Sequence, residues 1–187
     1  MSRRSRARGD RSNDTESAEK LVAVPDREGL GRSRGGVTTK IHLVADWQCR
    51  PIARVTTAGQ RHDSVAFTPV MADISIVRSG GGTPRNRPNR VLADNAYSTR
   101  RIRNALRRRG IKATIPGPSN QVVGRKSRGS KGGRPPKFDK EIYKTRNTVE
   151  RAINRLRGYR AVATRYDKRE FVHKGTIDVA SIGIWLR

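Results

Sequence analysis

Hydrophobic and polar positions divide the chain into short alternating stretches and longer periodic ones. "VTTKIHLVA" from Val37 and "PIARVTTAG" from Pro51 are rich in β-branched residues. Joined by "DWQCR", they predict an antiparallel hairpin. "HDSVAFTPVMADI" predicts a helix with Asp63 as its cap, kinked or shortened by Pro69. "RVLAD" predicts a short buried strand ending in Asp94, and a helix follows from near Ser98 to Gly110. In "IKATIP", Ile111, Ala113 and Ile115 alternate onto one face, as in a further strand. Gly, Ser, Pro, Lys and Arg dominate from Gly117 to Lys137, which predicts an exposed insertion outside the core. "HKGTIDVASIGIWLR" closes the chain as a mostly apolar helix.

The segment "YKTRNTVERAINRLRGYR", Tyr143 to Arg160, reads as a helix with one acid set among arginines. At 3.6 residues per turn, Ile142, Val149, Ile153 and Leu156 gather on one side. Tyr143, Arg146, Glu150 and Arg157 form a stripe bordering it. Glu150 therefore either pairs with Arg146 one turn earlier, for about 0.2–0.5 kcal/mol, or serves a site beside the core. Asp94 has two readings as well. It opens a turn before Tyr97, or, at the C-terminal end of a buried strand, it faces the crevice where α/β sheets bind ligands. Hairpin, helix, strand, helix, strand, helix is an α/β order with a mixed sheet.

Charge changes the picture more than composition does. Lys and Arg number 42 against 16 Asp and Glu, a formal charge of +26 that calls for a polyanionic partner, nucleic acid first. Paired carboxylates in so basic a chain point to metal chemistry on nucleic acid, because Mg²⁺ prefers carboxylate and water ligands. The single cysteine, Cys49, excludes an internal disulfide and fits a reducing cytoplasm. No apolar run approaches membrane-spanning length, and the N-terminus lacks the apolar stretch of a secretory signal. Residues 1–36 mix Arg, Ser, Gly and acids with only the brief apolar run Leu21 to Val24, and are expected to form a disordered basic arm.

"GRSRGGVTTKIHLVAD", "TAGQRHDS", "VLADNAYS", "GIKATIP", "YKTRNTVERAINRLRGYRAVATRYDK" and "IGIWLR" together resemble the DDE transposases of bacterial insertion sequences, group five, in order from about Gly31 to Arg187. That family's signature is a Tyr, an Arg three residues on, a Glu four beyond and a Lys seven further. Tyr143, Arg146, Glu150 and Arg157 match it, with Arg in place of the last Lys. The resemblance implies a ribonuclease H-like fold over residues 37–187, with a basic insertion at about 117–137. It also implies Asp94 and Glu150 as catalytic metal ligands for Mg²⁺, or Mn²⁺, and contacts to DNA from Tyr143, Arg146 and Arg157. Arg134 and Lys137, in "KGGRPPK", suit a loop that tracks phosphates. "RHDS" recurs in the family near the active site, although a capping Asp63 and an exposed His62 are the plainer readings. The partners implied are insertion-sequence ends and target DNA, within a homo-oligomer, in the bacterial cytoplasm at the nucleoid and away from membranes. The family carries its first catalytic aspartate on a strand upstream of "GRSRGG", followed by a histidine-containing motif, and neither is found here. Asp10, Asp14 and Asp26 are the acids available, and Asp26 lies only five residues before Gly31. The expectation is a domain lacking its N-terminal part, encoded upstream. The alternative is a nucleic-acid-binding protein without catalysis, or an inactive transposase remnant that still binds DNA.

Overall fold

The computed structural model describes residues 28–187. The expectations for a basic arm, for Leu21 to Val24 and for Asp10, Asp14 and Asp26 lie outside these residues, apart from the arm's last nine positions. Those nine correct its boundary. Gly31–Ser33 (β1) pairs antiparallel with the start of Gly36–Ala45 (β2), so the sheet begins before Val37. Two glycines make this possible. Gly36 turns the chain at φ +106°, and a Cβ on Gly31 would meet the Ala58 Cβ at 2.8 Å. The strand carries no apolar pattern because it lies at an edge.

β2 continues into Pro51–Ala58 (β3), giving the sheet order β1-β2-β3 with Ile41 opposite Thr56 and Leu43 opposite Arg54. Asp46 organises the connection. Its Oδ1 accepts the Gln48 and Arg50 N–H groups, each at 2.9 Å, while Oδ2 pairs with the Arg50 guanidinium at 2.6 Å. The next helix, Phe67–Ala72 (α1), follows a 3₁₀ turn at Asp63–Ala66. The cap of that turn is His62, whose Nδ1 accepts the Ser64 N–H at 3.2 Å, and not the expected Asp63. The Asp63 carboxylate is taken by Lys40 at 2.9 Å. Pro69 sits in the first turn of α1, where its missing N–H costs nothing.

Arg90–Leu92 (β4), Arg100–Arg108 (α2) and Lys112–Thr114 (β5) form a strand, helix, strand unit in which β4 and β5 pair in parallel. Thr99 caps α2, its Oγ1 accepting the Ile102 N–H at 3.2 Å, and Gly110 ends the unit's helix at φ +64°. The segment from Gly117 to Lys137 has no buried residue, yet it is not a plain loop, since Ser119–Ser127 (α3) is helical. Gln121 to Val123 and Arg125 to Lys126 can sustain a helix around Gly124, which costs about 1 kcal/mol relative to Ala. The helix expected from Tyr143 starts earlier and is interrupted. Lys140–Tyr143 (α4) is capped by Asp139, a 3₁₀ turn spans Lys144–Arg146, and Asn147–Arg157 (α5) follows. Arg160–Ala163 (α6) leads to Glu170–Trp185 (α7), which begins three residues before His173.

The hairpin β2-β3 separates two cores. Phe67, Val70, Met71, Ile74, Ile102, Leu106, Ile111 and Ile115 pack with Ala53 and with partly buried Val44 and Val91. On the other side Leu156, Val162, Ile177, Ala180 and Ile184 pack with Ile41 and Leu43. Each fully buried Leu or Ile contributes about 1.5–3 kcal/mol of transfer free energy. α7 carries apolar residues on more than one face but buries only the face with His173, Ile177, Ala180 and Ile184, leaving Phe171, Val179 and Ile182 exposed. Among the described residues no helix is long and apolar enough to cross a membrane.

Candidate functional site

A cleft of about 1330 Å³ opens between β2 and β4, with α1 and α5 as its other walls. Asp94 reaches it from the C-terminal end of β4. Its Oδ1 accepts the Asn95 N–H at 2.6 Å and so caps the 3₁₀ turn Asn95–Tyr97. The turn-opening role and the crevice-facing position thus belong to the same residue. Glu150 reaches the cleft from the first turn of α5. The Arg146 guanidinium stands between the two acids, with Nη1 3.9 Å from the Asp94 carboxylate and Nη2 3.7 Å from that of Glu150. These separations exceed hydrogen-bond length, and both carboxylates are more than half exposed. Such ion pairs contribute about 0–1 kcal/mol to stability.

Arg146 is steered by its own neighbourhood. Its guanidinium lies 5.5 Å from the centre of the Tyr143 ring, and that ring meets Phe138 edge-on at 5.1 Å. Arg157, exposed and two turns beyond Glu150, lines the same cleft. Tyr143, Arg146, Glu150 and Arg157 thereby keep neighbouring positions although a 3₁₀ turn interrupts the helix. Arg134 and Lys137 are exposed and do not line the cleft.

Four residues that the sequence did not single out line the cleft beside these: Lys40, Tyr97, Arg90 and Lys144. The Lys40 ammonium donates to the Arg61 carbonyl at 2.8 Å and to Asp63 at 2.9 Å, holding the "RHD" turn against β2. A lone lysine inside a β-branched strand was the available signal. Burial, then the charges of Asp63 and Asp94, pushes the Tyr97 hydroxyl up to about 12. It is a neutral hydrogen-bond donor at physiological pH. His42 also lines the cleft but serves the fold: it is buried, its Nε2 lies 2.8 Å from the Thr57 hydroxyl, and burial holds its pKa below the ordinary value.

Among the described residues no three His, Cys, Asp or Glu side chains gather closely enough to hold a metal ion. The donor set at the cleft is two carboxylates. Mg²⁺ is commonly bound by one or two carboxylates together with waters and substrate phosphates, so Asp94 and Glu150 fit one such ion in chemistry, and they do not form an all-protein cage.

The family model described as "Transposase DDE domain" matches residues 20–177. The putative transposase for insertion sequence element IS402 of Burkholderia cepacia is 32% identical over 142 residues, covering 76% of this chain and 59% of that protein. The putative transposase for insertion sequence element IS6501 of Brucella ovis is 28% identical over 151 residues, covering 81% of this chain and the whole of that protein. No solved structure matches. The antiparallel β1-β2-β3 hairpins, the parallel β4-β5 unit and the flanking helices have the mixed architecture of ribonuclease H-like domains. The chain belongs to the DDE transposases of insertion sequences, a family of enzymes.

Proposed function

We propose that this chain is the DNA-cutting and DNA-joining domain of an insertion-sequence transposase, with Asp94 and Glu150 as the ligands of Mg²⁺, or of Mn²⁺ in its place. The observation that carries this reading is the meeting of a strand-end aspartate and a helix glutamate on one guanidinium, inside a cleft of a chain of charge +26. A divalent ion held there would polarise a phosphodiester and lower the pKa of an attacking water or 3′ hydroxyl.

The chain's own residues account for binding and positioning. Arg146, swinging off the two carboxylates, would present a planar fork to a phosphate. Tyr143 would limit that swing through its ring, and Arg157 would add a second cation along the same wall. The neutral Tyr97 hydroxyl would donate to a phosphate oxygen without adding charge. Arg134 and Lys137, outside the cleft, would track the duplex backbone at a distance from the chemistry. The duplex would carry the terminal inverted repeats of the element or its target, and the working particle would be a homo-oligomer in the bacterial cytoplasm, at the nucleoid.

A second reading is favoured by one observation: the described residues supply two carboxylates and no third ligand. On that reading the chain binds DNA without cutting it. Metal-dependent cleavage of duplexes bearing the element's ends separates the two. Cleavage lost in Asp94→Asn and in Glu150→Gln supports the enzyme, and binding with no cleavage, even when any polypeptide that proves to be encoded upstream is supplied, supports the alternative.

A further inference from the structure

Helix α7 packs on β3, α5 and α6 through one face only. On its far side the steps from Phe171 to Gly175, Val179, Ile182 and the C-cap Leu186 set these residues in one row, diametrically opposite buried His173, Ile177, Ala180 and Ile184. No charged residue interrupts the row. Its four large side chains are each more than half exposed, and Val172 widens it at one edge. Together these side chains expose on the order of 500 Å² of apolar surface, more than monomeric proteins usually leave in one patch.

The charges around the stripe argue against nucleic acid as its occupant. α7 carries two acids and one lysine, whereas the shorter α2 carries five arginines and no acid. Both acids of α7 are already paired within the chain, Asp178 with Arg54 and Glu170 with Lys174. In a chain of charge +26 this is a face on which another chain can settle without meeting concentrated positive charge. A helix that lies on anionic lipid needs a polar face rich in Lys and Arg, and α7 offers one lysine.

We propose that this stripe is an isologous dimer interface, on which α7 of a second copy packs antiparallel about a two-fold axis beside Asp178 and Val179. The order of residues along the stripe is what selects a second copy. An antiparallel pairing about that axis sets Phe171 against Leu186 of the other copy, Gly175 against Ile182, and Val179 beside its own counterpart, each contact occurring twice. A large side chain thus meets the one small residue of the row. Gly175 is open for it, since a Cβ built there has nothing within 4 Å. Two such patches bury on the order of 1,000 Å², the size at which a specific interface begins.

Sedimentation equilibrium of the full chain, with neither DNA nor metal present, tests this independently of the catalytic reading. The expected result is a monomer–dimer equilibrium that tightens as salt rises, because screening relieves the repulsion between two cationic chains. Ile182→Asp should weaken the dimer roughly a hundredfold or more, since it buries an unpaired charge. Gly175→Leu should weaken it roughly tenfold by overpacking, and Ile182→Ala added to Gly175→Leu should restore it. Single cysteines check the register. Val179→Cys should form a disulfide-linked dimer on oxidation, whereas Phe171→Cys should not, because the two copies of position 171 lie about 22 Å apart at 1.5 Å per residue, beyond the roughly 7 Å a disulfide spans. The native Cys49 is buried. A monomer at all concentrations, a dimer that salt dissociates, association that continues past the dimer, or equal cross-linking at positions 171 and 179 would each overturn the proposal.

Discussion

Arginine meets carboxylate in two contrasting ways on the two sides of this domain. Arg54 of β3 grips Asp178 of α7 with two parallel N–H donors, from Nε at 2.8 Å and from Nη2, and so ties helix to sheet. Nearby, Glu170 takes the Lys174 ammonium at 2.8 Å and the Thr56 hydroxyl. Burial alone would raise the Glu170 pKa, but these hydrogen bonds outweigh it and hold it below the usual range. In the cleft the same chemistry stays open, with Arg146 at 3.9 and 3.7 Å from two exposed acids. The Arg54–Asp178 pair, closed to hydrogen-bond distance, ties helix to sheet, whereas the Arg146 pairs stay open and, on the proposed reading, retain charge for a ligand.

That contrast is broken most directly by neutralising the open side. Asp94→Asn and Glu150→Gln should each lower metal-dependent cleavage of end-bearing duplexes on the order of a hundredfold or more. Each should leave stability to urea unchanged within about 0.5 kcal/mol, as exposed pairs require. A large stability loss in either variant would make these acids structural. Salt dependence comes next. If about six to ten phosphates are contacted, duplex affinity should fall roughly 10³–10⁵-fold between about 50 and 200 mM salt. Deleting residues 124–137 removes six Lys and Arg and should flatten that slope; an unchanged slope would remove the segment from the DNA interface.

On the closed side, Arg54→Ala should cost about 1 kcal/mol by denaturant titration, a modest figure because Asp178 is half exposed. It should leave cleavage per folded molecule intact. The smallest effect concerns pH. Burial, more than any neighbour, holds the pKa of His173 below its ordinary 6.5, and burial does the same for His42. The unfolded chain then binds more protons, so stability is full above pH 6.5 or so and falls as pH drops through that value toward the depressed folded ones. His173→Asn should flatten this acid limb in thermal melts recorded across the range. An unaltered limb would assign it to other groups.

Much of this architecture was legible in the chain. The hairpin, β4, α2 and β5 follow from alternation and from the helix bounds near Ser98 and at Gly110, whose signals are local, while the Thr99 cap emerged only in the structure. The cleft's acids were legible for another reason, since Asp94 ends a strand and Glu150 borders an apolar helical stripe. What was missed depends on partners distant in sequence. β1 has no apolar pattern and exists through Gly31 and Gly36. Asp63 gave up the capping role to His62 because Lys40, 23 residues away, holds its carboxylate. The break at Lys144–Arg146 left the stripe intact, so periodicity could not reveal it. Nothing local marks Tyr97, whose displaced pKa arises from burial beside two acids.

The central claim is that Asp94 and Glu150 act as one metal-binding pair. Line broadening of backbone amide signals by Mn²⁺ tests it on the full chain without requiring turnover. The account predicts broadening at Ala93–Tyr97 and at Asn147–Arg151 together, and its loss from both segments in Asp94→Asn alone and in Glu150→Gln alone. Broadening spread evenly over exposed acids such as Glu141 and Asp178, or surviving at one segment when the other's carboxylate is removed, would contradict it.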